Sequence, residues 1–215
     1  MTQLQLLYNA ILDLGLSAGP GKMTVDHAIL TANPGYDPSV APEGVWNFML
    51  ALNDANWSSP AARANGLRAL GLQIATLGLV DDAEFTRQLV FLAITEVLPV
   101  ILRKEGFETY AAGCAAAKNM KEAAEAAHLA SETGRTHIPK RGPRAAADYA
   151  AHAAYNCLGM REGMPRATTW KIAVMAAAAG TEGQCAQDTR LLHVAAIALE
   201  IMRNIKSSAT LRLPS

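Results

Sequence analysis

Alanine fills 42 of the 215 positions, and 28 of those alanines lie after Tyr110. No other feature constrains the fold as strongly. A methyl side chain loses no rotamer freedom in a helix and is poorly suited to a strand. No run of alternating Val, Ile, Thr and aromatic residues competes with it. The expected fold class is all-α, a compact Ala-rich multi-helix bundle. A stripe such as Ala146, Tyr149, Ala150, Ala153 and Cys157 lets helix axes approach to ~8 Å, the close end of the usual spacing.

The punctuation agrees. Leu4, Leu7, Ile11 and Leu14 repeat at helical spacing, and Gly19-Pro20-Gly21 ends that segment. Thr24 caps a short helix to Leu30, followed by turns through Asn33-Pro34-Gly35 and Asp37-Pro38. Further helices are expected over 45–56, 60–78 and 81–104. Ser58-Ser59-Pro60 starts the second of these, with proline where its missing N–H costs nothing. Asp81 and Glu84 form an Asp variant of the capping box at the start of the third, and Pro99 is expected to kink it. The Ala-rich half gives helices over 107–117, 119–132, 143–158, 168–179 and 184–205, with Gly134, Gly159 and Gly180 at C-cap positions. Segments such as RAAADYAAHAAYNC and WKIAVMAAAA resemble one another, either as a worn helical-hairpin repeat or through composition alone. The composition shifts near Gly106 without a linker, so residues 1–215 read as one domain.

Nineteen basic and nineteen acidic residues leave no net charge to draw the chain to nucleic acid or an anionic membrane. Cys114, Cys157 and Cys185, an odd and sparse set, fit a reducing compartment and argue against a disulfide scaffold, and their lack of CxxC spacing argues against a thiolate metal site. The N-terminus has no basic n-region and carries Asp13. The apolar stretch Leu89 to Leu102 is broken by Thr95, Glu96 and Pro99 and is shorter than the ~20 residues of a membrane span. A cytoplasmic protein with no cofactor is the expectation.

Several constellations bear on chemistry. Glu125-x-x-His128 has di-iron half-site spacing, but no second Glu-x-x-His accompanies it. Glu122-x-x-Glu125 has the spacing of paired Mg²⁺ ligands, with Asp148 as a further oxygen donor. Together Glu122, Glu125, His128 and Asp148 would serve an all-α metal-dependent enzyme acting on a nucleotide or phosphate ester. The bland reading is an acidic solvated helix face. Asp148, His152 and Tyr155 share another face, where the carboxylate can orient the imidazole, yet no nucleophile motif joins them. Glu96, inside an apolar helix, reads as facing solvent. Trp46, Trp57 and Trp170 read as core or groove packing. The most distinctive loop runs from Arg135 through His137, Lys140 and Arg141 to Arg144. It holds four permanent cations and leads into a helix N-terminus at Pro143, which favours an anion or an acidic surface.

Val97-Leu98-Pro99, Gly134, Thr136-His137 and the Ala- and Tyr-rich stretch Ala145 to Tyr155 carry a family likeness. The chain from Glu96 to Tyr155 resembles the Ala-rich helical immunity proteins of bacterial polymorphic toxin systems. That likeness covers about a third of the chain and implies a bacterial, non-enzymatic protein whose partner is a toxin blocked by occlusion. It carries no catalytic residues. The contact residues expected are Arg135, His137, Lys140, Arg141, Arg144, His152 and Tyr155. An oligomeric structural protein, built on the small-residue faces, is a third reading.

Overall fold

The structure is a computed structural model that describes residues 42–76, 81–132, 142–159, 165–178 and 184–210. The expected helices over 4–14 and 24–30, and the caps at Gly134 and Gly180, lie outside these residues. Among the described residues there are eight helices and no strand. They are α1 (Glu43–Asn53), α2 (Pro60–Thr76), α3 (Asp82–Lys104), α4 (Glu108–Ala116), α5 (Met120–Glu132), α6 (Pro143–Leu158), α7 (Pro165–Ala177) and α8 (Gln184–Thr210).

The helix starts follow from local chemistry. Ser59 Oγ accepts the Ala62 N–H at 3.1 Å, and Asp81 Oδ1 accepts the Glu84 N–H at 3.0 Å. Glu84 does not complete the capping box; its carboxylate accepts instead from Gln88 at 2.7 Å. Helix α7 begins at Pro165, three residues before the expected start, because proline at the first position is pre-set for a helix. Helix α3 ends in a Schellman turn. Phe107 N–H bonds to Leu102 C=O at 2.9 Å, Gly106 N–H bonds to Arg103 C=O at 3.0 Å, and Gly106 takes φ +81°. Gly159 also follows a helix, but at φ −99° it makes no left-handed cap.

Helix α3 is central and packs against α1, α4, α5, α6, α7 and α8. Apart from Pro99, its buried residues come in adjacent pairs: Phe85 and Thr86, Leu89 and Val90, Ala93 and Ile94, Val97 and Leu98, Ile101 and Leu102. Each large apolar member contributes ~1.5–3 kcal/mol by leaving water. Pro99 does not simply kink the helix. Residues Ala93–Val97 form a π-helical turn in which Leu98 N–H reaches back to Ala93 C=O, and Thr95 Oγ1 donates to Phe91 C=O at 3.0 Å. By length and composition α3 could cross a membrane, yet 61% of its apolar window is buried against the other helices, which accounts for its hydropathy.

Two polar junctions tie the elements together. Both Asp82 carboxylate oxygens accept the Gly44 N–H, at 2.8 and 2.9 Å, while Thr169 Oγ1 donates to Gly44 C=O at 2.8 Å. The first turn of α1 is thereby bound to α3 and α7. Burial raises the Asp82 carboxyl above its ordinary 3.8, against the lowering pull of the Gly44 and Val45 N–H groups. On α8, Asp188 accepts from the Ser58 N–H at 2.9 Å and from its hydroxyl, and Gln187 donates to Asn56 C=O at 2.9 Å. The buried Arg190 donates to Ala176 and Ala178 C=O at 3.1 and 3.2 Å, placing a cation on the C-terminal end of α7.

Candidate functional site

Helices α5 and α6 form a closely packed hairpin. Ala123, Ala124, Ala127 and Ala130 of α5 and Ala146, Ala147, Ala150, Ala151, Ala153 and Ala154 of α6 are all buried, and α6 packs on α3 and α7 as well as on α5. Each end is fixed by side chains. Asn119 and Glu122 make a capping box: Asn119 Oδ1 accepts the Glu122 N–H at 3.0 Å, and the Glu122 carboxylate accepts from Lys118 N–H and Asn119 Nδ2. Those bonds, the Lys118 N–H first, hold the Glu122 carboxyl below its ordinary value. At the other end, Arg144 Nε donates to Ser131 C=O at 2.8 Å, so its guanidinium serves the C-terminal turn of α5.

The outer face of this alanine hairpin carries large exposed side chains. Leu129 is 61% exposed, Leu158 51% and Tyr155 45%, and His128 and His152 are exposed beside them. The His128 and Tyr155 rings meet across the two helices, edge to face, with centroids 6.0 Å apart at 73°. His152 Nδ1 lies 2.9 Å from the Asp148 C=O and 3.7 Å from its carboxylate, which aligns the ring along α6. Of the expected contact residues, Tyr155 and His152 therefore share this face, Arg144 is tied to α5, and Arg135, His137, Lys140 and Arg141 lie outside the described residues. Leu129, Leu158 and the pairing of His128 with Tyr155 were not expected. The one trace in the sequence is that Leu129 and Leu158 interrupt alanine runs without keeping to the seam.

The alternative ligand set is dispersed. Glu122 is engaged in its capping box, Glu125 lies 4.0 Å from Lys121, His128 stacks on Tyr155 and Asp148 accompanies His152. Among the described residues, no three His, Cys, Asp or Glu side chains gather as a metal-holding group. A shallow depression of about 350 Å³ lies between α4 and α5, with Gly113, Ala116 and Leu129 on its walls and Glu122 and Glu125 at its edge. Glu96 projects from the π-helical turn, half exposed, 3.8 Å from His193 of α8. Burial pushes the Cys114 and Cys157 thiols up to about 11 and about 12, so neither supplies a thiolate near neutral pH, while Cys185 is exposed. Trp57 is buried with its Nε1 donating to Leu52 C=O at 2.7 Å, Trp46 is partly buried, and Trp170 is 38% exposed. Comparison with family models, characterised proteins and solved structures found no match to this chain.

Proposed function

We propose that this protein is a non-enzymatic helical binding protein whose α5–α6 hairpin docks on another protein. The observation that carries this reading is the outer face of the hairpin. Exposed leucine and aromatic side chains stand on a rigid alanine scaffold, where they contribute nothing to the seam. An exposed tyrosine braced by a neighbouring ring is the kind of anchor on which interface energy concentrates. The basic stretch Arg135 to Arg141 joins the two helices in sequence and would steer the approach of an acidic surface. Following the resemblance of residues 96–155, the partner is a bacterial toxin blocked by occlusion. The seam-facing alanines leave the hairpin little internal room for a reacting centre, which favours binding over catalysis.

The test is protection. The reading frame adjacent to the gene is expressed alone and together with this chain, and growth and co-elution are measured. Protection with a stable complex, lost on Tyr155→Ala and weakened in a salt-dependent way by Arg141→Glu, is the expected result. Full protection and unchanged affinity in both variants would remove the hairpin from the account, and no complex would remove the immunity reading.

A further inference from the structure

A second concavity lies beside α7, on the side of α1. Between the C-terminal end of α1 and α7 is a groove of about 420 Å³, lined by Ala51, Asp54, Ala55, Trp170, Ala173 and Val174 with two further residues. That volume falls within the range of small-ligand sites, about 300–1,000 Å³. Its wall is apolar apart from Asp54 and Asn56. Trp170 is 38% exposed, yet it does not hang loose: its ring meets Tyr149 edge to face at 6.0 Å. An indole held in place beside methyl groups at the surface is a preformed aromatic wall.

Among the described residues, Asp54 is the one charged side chain lining the groove, and it is also the C-cap of α1, whose last turn holds no basic residue. A helix C-terminus carries partial negative charge of its own, so the two effects add. The Asp54 carboxylate accepts from Asn53 Nδ2 at 3.2 Å through Oδ1. On the packed helices, Arg190 is directed to the Ala176 and Ala178 carbonyls, and Lys171 does not line the groove. An apolar slot with an aromatic wall and a carboxylate at its mouth complements a cation with an apolar stem. We propose that this groove binds a small organic cation, an alkylammonium group on a short apolar chain. Trp170 attracts the cation through its ring quadrupole, Asp54 pairs with it, and the alanine and valine methyls cover the stem. The group can belong to a free amine or to a lysine side chain.

Calorimetric titration of the full chain with n-butylammonium chloride, with n-butanol as the neutral analogue and with Nα-acetyl-lysine N-methylamide, tests this. Expected is saturable butylammonium binding that falls with added salt and weakens about tenfold in Asp54→Asn and in Trp170→Leu, the size of a partly desolvated cation–π contact. Butanol should bind far more weakly. Equal binding of the lysine derivative assigns the site to a side chain, and preference for butylammonium assigns it to a free amine. Three results would overturn the proposal: no saturable binding by either cation, butanol binding as well as butylammonium, or neither variant changing the affinity. Should Trp170→Leu fail to fold, Asp54→Asn at an exposed position decides the matter alone.

Discussion

The two halves of this molecule solve the same packing problem in opposite ways. Around α1, α2 and the first part of α3, the interior is filled by Phe48, Met49, Leu52, Leu67, Leu70, Phe85 and Leu89, all essentially without exposure. In the α5–α6 hairpin the buried side chains are mostly alanine methyl groups. The first half gains stability from large side chains leaving water, and it tolerates some rearrangement because those side chains have alternative rotamers. The hairpin gains little area per residue and depends on helix spacing. Its alanines have no rotamers to adjust, so the seam has little capacity to repack.

The sharpest way to break this contrast is to exchange the two strategies. Phe85→Ala removes the largest side chain of α3's buried face and should cost ~3–5 kcal/mol, read as the change in urea midpoint. Ala150→Leu in the hairpin seam should cost ~1–3 kcal/mol through overpacking, and it should also loosen the His128–Tyr155 contact. If Ala150→Leu proves neutral, the seam is not closely packed and the contrast fails. An effect of the same size comes from the contact between backbone and ring in the first half. A methyl at Gly66 would lie 2.4 Å from the Trp57 ring, so Gly66→Ala should destabilise by ~1–3 kcal/mol and shift the tryptophan emission. An unchanged melting temperature would mean the ring yields easily, and that the bulky half is the more adaptable of the two.

The smallest effects are electrostatic, and they run in opposite directions in the two regions. Asp82 is raised in the folded state, chiefly by burial, so the folded chain holds that proton more tightly than the unfolded one. Stability from this group is present below 3.8 and declines as pH rises through the higher folded value. Glu122 in the hairpin is lowered, chiefly by the Lys118 N–H, so its contribution is present above 4.5 and is lost as pH falls through the lower folded value. Denaturant melts across acidic pH should therefore show Asp82→Asn removing a decline toward neutral pH and Glu122→Gln removing a decline toward strong acid. The same slope from both substitutions would contradict the assignment.

Much of the helical order was legible because alanine, proline and glycine mark it without help from tertiary structure. The helix from Pro143 to Leu158 lies between a Gly-Pro start and a glycine, and it forms as expected. Asp81 caps its helix although Glu84 does not complete the box, and the helix after Ser58-Ser59 starts at Pro60 as expected. What stayed hidden depends on neighbours. Glu122 carried only an alternative reading as a metal ligand, and Glu-x-x-Glu spacing does not reveal that its oxygens accept from Asn119 and Lys118. Arg144 is marked by its loop as a contact cation, and nothing local reveals that it also donates to a carbonyl on another helix. Trp170 and Asp54 share a groove although α1 and α7 are far apart in the chain, a juxtaposition no local pattern records. The meeting of His128 and Tyr155 depends on the register of two antiparallel rods, which neither rod specifies alone.

The wide turn in α3 explains an arithmetic oddity of that helix. Its core-facing pairs recur every four residues from Phe85 to Leu102. A rod with 3.6 residues per turn would swing such a pattern by about 40° at each step, and by about 160° over the four steps. One extra residue in a single turn takes back about 100° of that swing. Proline at position 99, which has no N–H to give, sits just past the place where the correction is made. The turn thus works as a phase adjuster, keeping both ends of one long rod facing the same interior.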